Sequence, residues 1–459
     1  KKEHDSQRET YPFVNNLRQR EIFVFFGGFM EKEVIERSIK PYSKEDIKID
    51  LEQLGVKKGD VVLVHSSLSR IGWVIGKEIA LIQALIETVG EEGTIVMPSQ
   101  SGDWTSPDYW QAPPVPKEWI EKIKRELPAY DPLYTPTREM GRIADAFFRY
   151  PGTIRSSHPQ VSFSANGKLA KFITDDHALR FGLGKESPLQ KLYDLDAKVL
   201  LLGVGYDRCT SMHLAEAKQK YLLTETQGSM LDSGWTEFEE IVYDDSDFEQ
   251  IGLTFEKEKP VSRGMIGQAF SRLFPIRSVV DFATEWMDKN RKSMVNLSKE
   301  EFSKIYDTYM IRDFPEDELK PLAMILENPN SYLYGYYEQE IRGYMNCVFQ
   351  QDYCLVDYFG IFEKEKNKGY GSKLLQLLLD AFSSKTIIIE SEVPYDTISE
   401  KRLSFYLKNG FLQSETSILL YGVKYHILSN KALSKEEIEQ AYSLFYPEPF
   451  RKAHFKVFE

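Results

Sequence analysis

Through the first two-thirds of the chain, apolar residues fall in short unbroken runs separated by polar stretches. Val61 to Val64 in DVVLVHSS, Ile95 to Met97 in GTIVMP and Val199 to Leu202 in KVLLLG are too short for helices and lack the alternation of a half-exposed strand. They predict strands covered on both faces, and Ala80 to Val89, apolar at helical spacing, predicts one of the covering helices. Ser43 followed by Glu45 and Asp46 predicts a helix N-terminus. A helix over Ser278 to Trp286 and a strand over Glu239 to Tyr243 are also expected, whereas Trp104 to Thr137, rich in Pro, Trp and Tyr, predicts an irregular insertion. Strands alternating with helices predict a three-layer α/β fold with a mostly parallel sheet, whose binding residues gather at the carboxyl ends of the strands.

The pattern changes after the charged stretch Asp288 to Ser293. A helix over Ser298 to Met310 is followed by three closely spaced strands, Ser331 to Tyr337, Ile341 to Gln350 and Tyr353 to Ile361. A glycine loop, Lys366 to Gly371, then opens an amphipathic helix over Ser372 to Phe382. A strand (Lys385 to Glu392), a helix (Ser399 to Asn409) and a final strand complete a smaller α+β domain with a mixed sheet. The division expected is an extension over 1–40, a first domain over 41–293 and a second over 294–459. Within the extension, Ile22 to Phe26 form an aromatic patch ahead of Gly27 and Gly28, expected to dock on a neighbouring domain.

A formal charge of −12 without a long single-sign run argues against a nucleic-acid binder and suits a cationic ligand. Cys209, Cys347 and Cys354 form no CxxC pair and have no zinc-ligand spacing, which points to a reducing, cytoplasmic setting. No apolar run is long enough to span a membrane, and the charged start does not read as a signal peptide.

The first concentration of chemistry is LLLGVGYDRCTSMHLAE, Leu200 to Glu216. Gly203 and Gly205 break the strand into a loop that delivers Asp207, Thr210, His213 and Glu216, and the last two share a face if a helix follows. A hydroxyl, an imidazole and a carboxylate past a strand end suit proton transfer. Two alternatives stand beside that reading: Cys209 as a nucleophile, and a metal held by His213 and Glu216 with His65 or His158.

The second is the late glycine loop, where bare amides at a helix start favour a pyrophosphate. With LSFYLKNGF, Leu403 to Phe411, it resembles the acetyl-CoA-binding motifs of the GNAT superfamily of N-acetyltransferases. The family's Arg/Gln-x-x-Gly-x-Gly/Ala positions fall on Lys366, Gly369 and Gly371; the Lys keeps the charge but loses the planar fork. The resemblance implies further acetyl-CoA contacts from Ile361, Lys368, Tyr370 and Ser372, and makes Tyr406 the donor of a proton to the departing thiolate.

Six motifs of the larger domain, VVLVHSSLSRIG, GTIVMPS, RSSHP, SFSANG, SPLQKLY and LLLGVGYDRCTSMHLAE, together resemble the aminoglycoside 3-N-acetyltransferase family over about Tyr42 to Asn290. That resemblance implies acetyl-CoA as cosubstrate, no metal, and a polycationic amine as acceptor. It makes His213 the general base, Thr210 a hydrogen-bond donor to the oxyanion, and Glu216 either the orienter of His213 or a ligand of the substrate ammonium. His65, Ser66, Ser67 and Gly72 are implied at CoA; Asp103 is a candidate ligand of the cationic acceptor, and His158, which precedes Pro159, suits an acceptor contact or a turn or packing role equally.

A fusion of two acetyl-CoA-dependent acetyltransferases of unlike fold is therefore expected. The first would act on an aminoglycoside-like amine and confer antibiotic resistance; the acceptor of the second is open. Two other readings stand: the same scaffold acylates a biosynthetic amine, or one domain is a non-catalytic binding module.

Overall fold

The computed structural model describes residues 31–110, 113–316, 318–420 and 422–458; the aromatic patch at Ile22 to Phe26 lies outside them. Two compact units emerge. One holds the chain up to Leu214 together with Gln227–Phe238 and Asp244–Asp281, and the other holds Ala215–Thr226, Glu239–Tyr243 and Phe282 onward. Among the described residues, no helix is long and apolar enough to cross a membrane.

In the first unit, α1 (Lys44–Leu54) begins where expected: Ser43 and Asp46 form a capping box, with the Ser43 oxygen accepting from the Asp46 amide at 3.1 Å. The strands are β1 (Val61–Ser66), β2 (Thr94–Pro98), β3 (Ile154–Arg155), β4 (Phe163–Gly167) and β5 (Lys198–Leu202), with β8 (Ser262–Ile266) and β9 (Ala269–Pro275) later in the chain. Between β5 and β8 the chain forms a two-stranded sheet of β6 (Thr224–Leu231) and β7 (Gly234–Ile241). The large sheet has the order β3-β4-β2-β1-β5-β9-β8.

The α/β class holds, and the parallel character of the sheet is concentrated at its centre. β1 pairs in parallel with β2 and β5, while β4 and β9 run opposite to their neighbours. The outermost β3 and β8 run antiparallel to β4 and β9, which returns them to the direction of the central three. β8 and β9 are joined by a tight hairpin, a connection that only antiparallel strands allow.

The central strands bear the unbroken apolar runs because both faces are covered. α2 (Lys77–Val89) buries Leu81, Ala84 and Leu85 in one core with Val62, Val64, Ile95, Met97, Leu200 and Leu202. The insertion is less irregular than expected: it contains α3 (Lys117–Glu126), which buries none of its residues, and α4 (Gly141–Phe148) follows it. Further helices include α5 (Met212–Ala217), α6 (Phe248–Glu258) and α7 (Ile276–Asn290).

The second unit is built on an eight-stranded mixed sheet of order β10-β11-β12-β13-β14-β16-β15-β17. Its strands are β10 (Ser293–Asn296), β11 (Ser331–Glu338), β12 (Glu340–Gln350), β13 (Tyr353–Ile361), β14 (Thr386–Glu392), β15 (Leu412–Leu420), β16 (Val423–Ser429) and β17 (Phe455–Phe458). Its helices include α8 (Lys299–Ile305), α9 (Tyr370–Ala381), α10 (Thr397–Lys408) and α11 (Lys435–Phe445). The expected final strand is thus a hairpin followed by two helices, α11 and Glu448–His454, and an edge strand, and Ser293–Asn296 adds a strand to the sheet by pairing with β11. Alternate residues of β13 serve the two faces: Cys354 and Val356 pack with Leu374, Leu375 and Leu378 of α9, and Leu355 packs with Ile438 and Tyr442 of α11.

Candidate active site

β1, β2 and β5 end together at Ser66, Pro98 and Leu202, and the loops that follow them enclose a cavity of about 430 Å³. After β5 the chain turns at Gly203, where φ is +70° and a Cβ would stand 2.8 Å from the Cβ of Arg70. Only glycine suits both conditions, so the turn is fixed by the sequence. The loop is then anchored by fully buried Tyr206, stacked on Phe274 at 5.6 Å and donating to Glu256 at 3.1 Å. Gly252 makes room for that ring, since a Cβ there would lie 1.9 Å from it.

His65, Ser66, Thr210 and His213 line this cavity together, as do Cys209 and Asp207. His213 sits in the first turn of α5, its ring 4.9 Å from that of Phe248 and tilted by 54°. His65 is on β1 and buried, and its Nε2 has no hydrogen-bond partner among the described residues. Burial, then the nearby charge of His213, lower its pKa to about 3, so it presents an uncharged imidazole. An unpartnered buried nitrogen is costly, and its position at the cavity leaves it open to a ligand. Glu139, Gln100 and Asp245 also line the cavity. Their signals in the sequence are slight: Glu139 stands just past the insertion with φ +59°, and Asp245 in the acidic run YDDSD.

Other expected residues stand elsewhere. Ser67 precedes a short helix and hydrogen-bonds by its amide to Leu202, and Gly72 packs against Tyr42 and Gln268; neither lines the cavity. Asp103 is ion-paired to Arg138. Of the two roles open to His158, the geometry favours packing over an acceptor contact: it is fully buried, and both ring nitrogens are taken by backbone groups, Nε2 facing the Leu179 carbonyl at 3.1 Å and Nδ1 accepting from the Gln160 and Val161 amides at 3.1 Å. It organises its loop. Glu216 is buried and ion-paired to Arg291 at 2.5 Å, which spends its charge on a guanidinium. With His158 and Glu216 so committed, the metal alternative loses its ligands. The covalent alternative weakens too, because burial raises the Cys209 thiol to about 12 and the thiolate is the nucleophilic form.

In the second unit, β13 and β14 pair in parallel from Tyr353 and Thr386 as far as Val356 and Ile389, and the pairing then stops. A register shift against β12 leaves Asp357 without an opposite residue at that point. Beyond it opens a cleft of about 830 Å³ lined by Ile361, Lys366 and Tyr406, among others. Tyr406, on α10, is 7% exposed, and burial raises its hydroxyl to about 12, which keeps it a proton donor. That hydroxyl has no hydrogen-bond partner among the described residues.

The glycine loop forms the start of α9. Gly369 is its N-cap with φ +81°, no side chain caps the first turn, and nothing lies within 4 Å of where a Cβ would be. Uncapped amides at the head of a 12-residue helix suit a pyrophosphate. Gly371 abuts Phe405, Tyr370 rests on Tyr336 at 5.3 Å, and Lys368 pairs with Glu365 at 3.0 Å. These three and Ser372 lie outside the lining of the cleft, although Lys366 reaches it.

The sequence profile of the aminoglycoside 3-N-acetyltransferase family matches residues 63–288, and that of the GNAT acetyltransferase family matches residues 291–411. The SPbeta prophage-derived aminoglycoside N(3')-acetyltransferase-like protein YokD of Bacillus subtilis is 46% identical over 264 residues, covering 56% of this chain and 97% of that protein. Aminoglycoside N(3)-acetyltransferase VII of Streptomyces paromomycinus is 32% identical over 279 residues, with 56% and 96% covered. Among solved structures, YokD superposes with a TM-score of 0.56 at 45% identity, covering 56% of this chain and 98% of that one. The aminoglycoside acetyltransferase AAC(3)-Xa superposes at 0.52 with 32% identity, covering 57% and 97%. The chain therefore belongs to the aminoglycoside 3-N-acetyltransferase family, continues into a GNAT acetyltransferase domain, and is an acetyl-CoA-dependent N-acetyltransferase.

Proposed function

We propose that the first cavity transfers the acetyl group of acetyl-CoA directly to an amine of a deoxystreptamine-type aminoglycoside, with His213 as general base, so that this cytoplasmic enzyme confers resistance. The observation that carries this reading is one cavity that joins His213, Thr210 and uncharged His65 to the carboxylates of Glu139, Asp207 and Asp245. The carboxylates attract a polycation, and His213 removes a proton from the bound ammonium so that its nitrogen can attack the thioester. Thr210 donates to the developing oxyanion, and the thiolate departs as CoA. His65 and Ser66 serve the acetyl-CoA side. Glu216 acts through its ion pair with Arg291 rather than on the substrate. Relatives named as aminoglycoside N(3)-acetyltransferases support the substrate class. We take the second module to start at residue 294, within the strand Ser293–Asn296 that opens its sheet.

The test is release of CoA thiol by the full-length chain with acetyl-CoA and a panel of deoxystreptamine aminoglycosides, with the products located by mass spectrometry. Turnover is expected and should be lost in His213→Ala. No turnover on the whole panel overturns the antibiotic reading and leaves a different amine as acceptor. Transfer that survives His213→Ala but not Tyr406→Phe makes the first domain the passenger.

A further inference from the structure

Two residues past His213 the chain enters a stretch, Ala215–Thr226, that belongs to the second compact unit. Within that unit, residues from farther along the chain hold it by three contacts. Arg291 donates to Glu216 at 2.5 Å, with 20% of the Arg291 side chain and 5% of the Glu216 side chain exposed. The ring of Tyr221 lies 5.0 Å from that of Tyr337, whose hydroxyl donates to Asp288 at 2.8 Å. The Asn296 amide donates to the Leu222 carbonyl at 2.8 Å, and its side chain to Thr224 Oγ1 at 2.5 Å. Leu223 packs against the core that β11 and α9 share. Arg291, Tyr337 and Asn296 all lie past residue 288, where the aminoglycoside 3-N-acetyltransferase profile ends.

We propose that the second module braces the base of the first reaction: Arg291 fixes Glu216, and with it the turn of α5 that bears His213, so Arg291 is a positioning residue for acetyl transfer in the first cavity. This rests on the reading of His213 as that base. α5 has six residues, too few to hold a shape alone, so the grip on its second half decides where the imidazole in its first turn points. Arg291 is itself fixed, because two residues later β10 pairs with β11 from Ser293 to Asn296. Breaking such a buried pair from the arginine side strands a carboxylate without a counter-ion, and that carboxylate stands one helical turn from His213. A base misplaced by about 1 Å can lose a hundredfold in rate.

The pair has an electrostatic consequence as well. With its charge spent on Arg291, Glu216 does not draw the imidazole into an ion pair of its own, which would favour the protonated ring and idle the base. The other charged groups around His213 are Glu139, Asp207, Arg208 and Asp245, which line its cavity, while His65 on β1 stays uncharged. Substitution at Arg291 leaves all of these in place, so a change in His213 reports on Glu216.

The experiment uses the full-length chain and two readouts. One is the NMR titration of the His213 imidazole in nitrogen-labelled protein, assigned by its disappearance in His213→Ala. The other is steady-state thiol release with acetyl-CoA and the aminoglycoside panel. Arg291→Met keeps the bulk of the stem without the charge; it should raise the His213 midpoint by about half a pH unit or more and lower kcat about tenfold, with both KM values within about twofold. Arg291→Lys should return the midpoint to that of the unaltered chain and kcat to within about threefold of it. Glu216→Gln loses the pair without stranding a charge, so it should lower kcat about as much as Arg291→Met while leaving the midpoint unraised. An unmoved midpoint in Arg291→Met overturns the proposal, as does an unchanged kcat in Glu216→Gln. Arg291→Lys indistinguishable from Arg291→Met means general packing and overturns it too. A chain that turns over no aminoglycoside overturns the substrate reading of the first cavity, and the titration then decides the brace alone.

Discussion

The ring of Phe248 rests 4.9 Å from that of His213, and Phe248 is the first residue of the helix that also secures the loop delivering His213. The next residue, Glu249, accepts the Tyr206 amide at 2.7 Å, and Glu256, two turns further along, accepts the Tyr206 hydroxyl at 3.1 Å. α6 is therefore a template for the loop after β5, holding its strand-proximal end by polar contacts and its imidazole by an aromatic one. Rigid support of this kind is what the base role proposed for His213 requires.

Separating base from support gives the first prediction. His213→Ala should lower kcat for the aminoglycoside reaction by 100-fold or more, in line with the roughly 10²- to 10⁴-fold expected of a general base. Phe248→Leu keeps the burial but loses the ring contact, and should cost about tenfold in kcat through looser placement of the imidazole. Steady-state thiol release distinguishes the two, with KM for the acceptor changing little in the second variant.

Cys209 lines the same cavity and is fully buried, with its sulfur 3.2 Å from the Ser211 hydroxyl. Its thiol, raised to about 12 by burial, stays protonated at neutral pH. Cys209→Ala should keep kcat within about threefold if attack is direct, and mass spectrometry during turnover should find no acetyl-enzyme; an acetylated Cys209 would reverse the assignment.

What was legible in the sequence was local. β1, β2 and β5 announced themselves because burial on both faces demands unbroken apolar runs, and the Ser43 cap needs only Asp46, three residues on. β9 did not, because Arg272 interrupts it and is neutralised by Glu256 from α6, a partner sixteen residues upstream. α3 was hidden for the opposite reason: it buries nothing, so Trp119 and Ile123 carry no core signal. The site divides the same way. Thr210 and His213 were placed by their own loop, whereas the pairing of Glu216 with Arg291, 75 positions away, leaves no local trace. The spacing that suggested a His213–Glu216 partnership could not register that competitor.

Arg155 is a further case of long-range organisation with a measurable cost. It is 7% exposed, and its guanidinium donates to Ser162 Oγ at 3.0 Å, to the Thr135 carbonyl at 2.5 Å, and to the Ser99 carbonyl and Ser101 Oγ at 2.6 Å each. No carboxylate pairs with it among the described residues; its charge is spread over carbonyls and hydroxyls and faces Phe148 at 4.6 Å. Arg155→Met should destabilise the first unit by about 3 kcal/mol, since several buried acceptors lose their donor together. Arg155→Lys should recover little, because an ammonium cannot reproduce the fork. The midpoint of the first transition in urea reads both.

Buried neutral histidines set the acid limit of the first unit. Burial lowers His158 to about 4 and His65 to about 3, and holds His177 well below its ordinary value. Between the unfolded value near 6.5 and these folded values, the unfolded chain binds more protons than the native one, so stability falls as pH falls. His158 alone accounts for about 3 kcal/mol of loss by pH 4, at roughly 1.4 kcal/mol per pH unit. Melting temperature should therefore decline steadily from pH 6.5 to pH 4. His158→Gln should lower it at pH 7 yet flatten the decline, and an unchanged slope would show that the acid sensitivity lies elsewhere.

Gly369 offers a test of the second CoA site that does not depend on knowing its acceptor. With φ +81° and nothing within 4 Å of its Cβ position, alanine there meets no clash and only backbone strain. That strain is about 1–2 kcal/mol, and it can be relieved only by moving the uncapped first-turn amides of α9. Gly371→Ala is the control, because its Cβ would press on Phe405 at 3.1 Å and disturb packing rather than the amides. In titration calorimetry the unaltered chain should bind two CoA molecules. Gly369→Ala should weaken one of them about tenfold, the equivalent of about 1.4 kcal/mol. Gly371→Ala should change the melting temperature more than the affinity. Equal weakening of both sites by Gly369→Ala would mean that the loop supports the fold and does not hold the pyrophosphate.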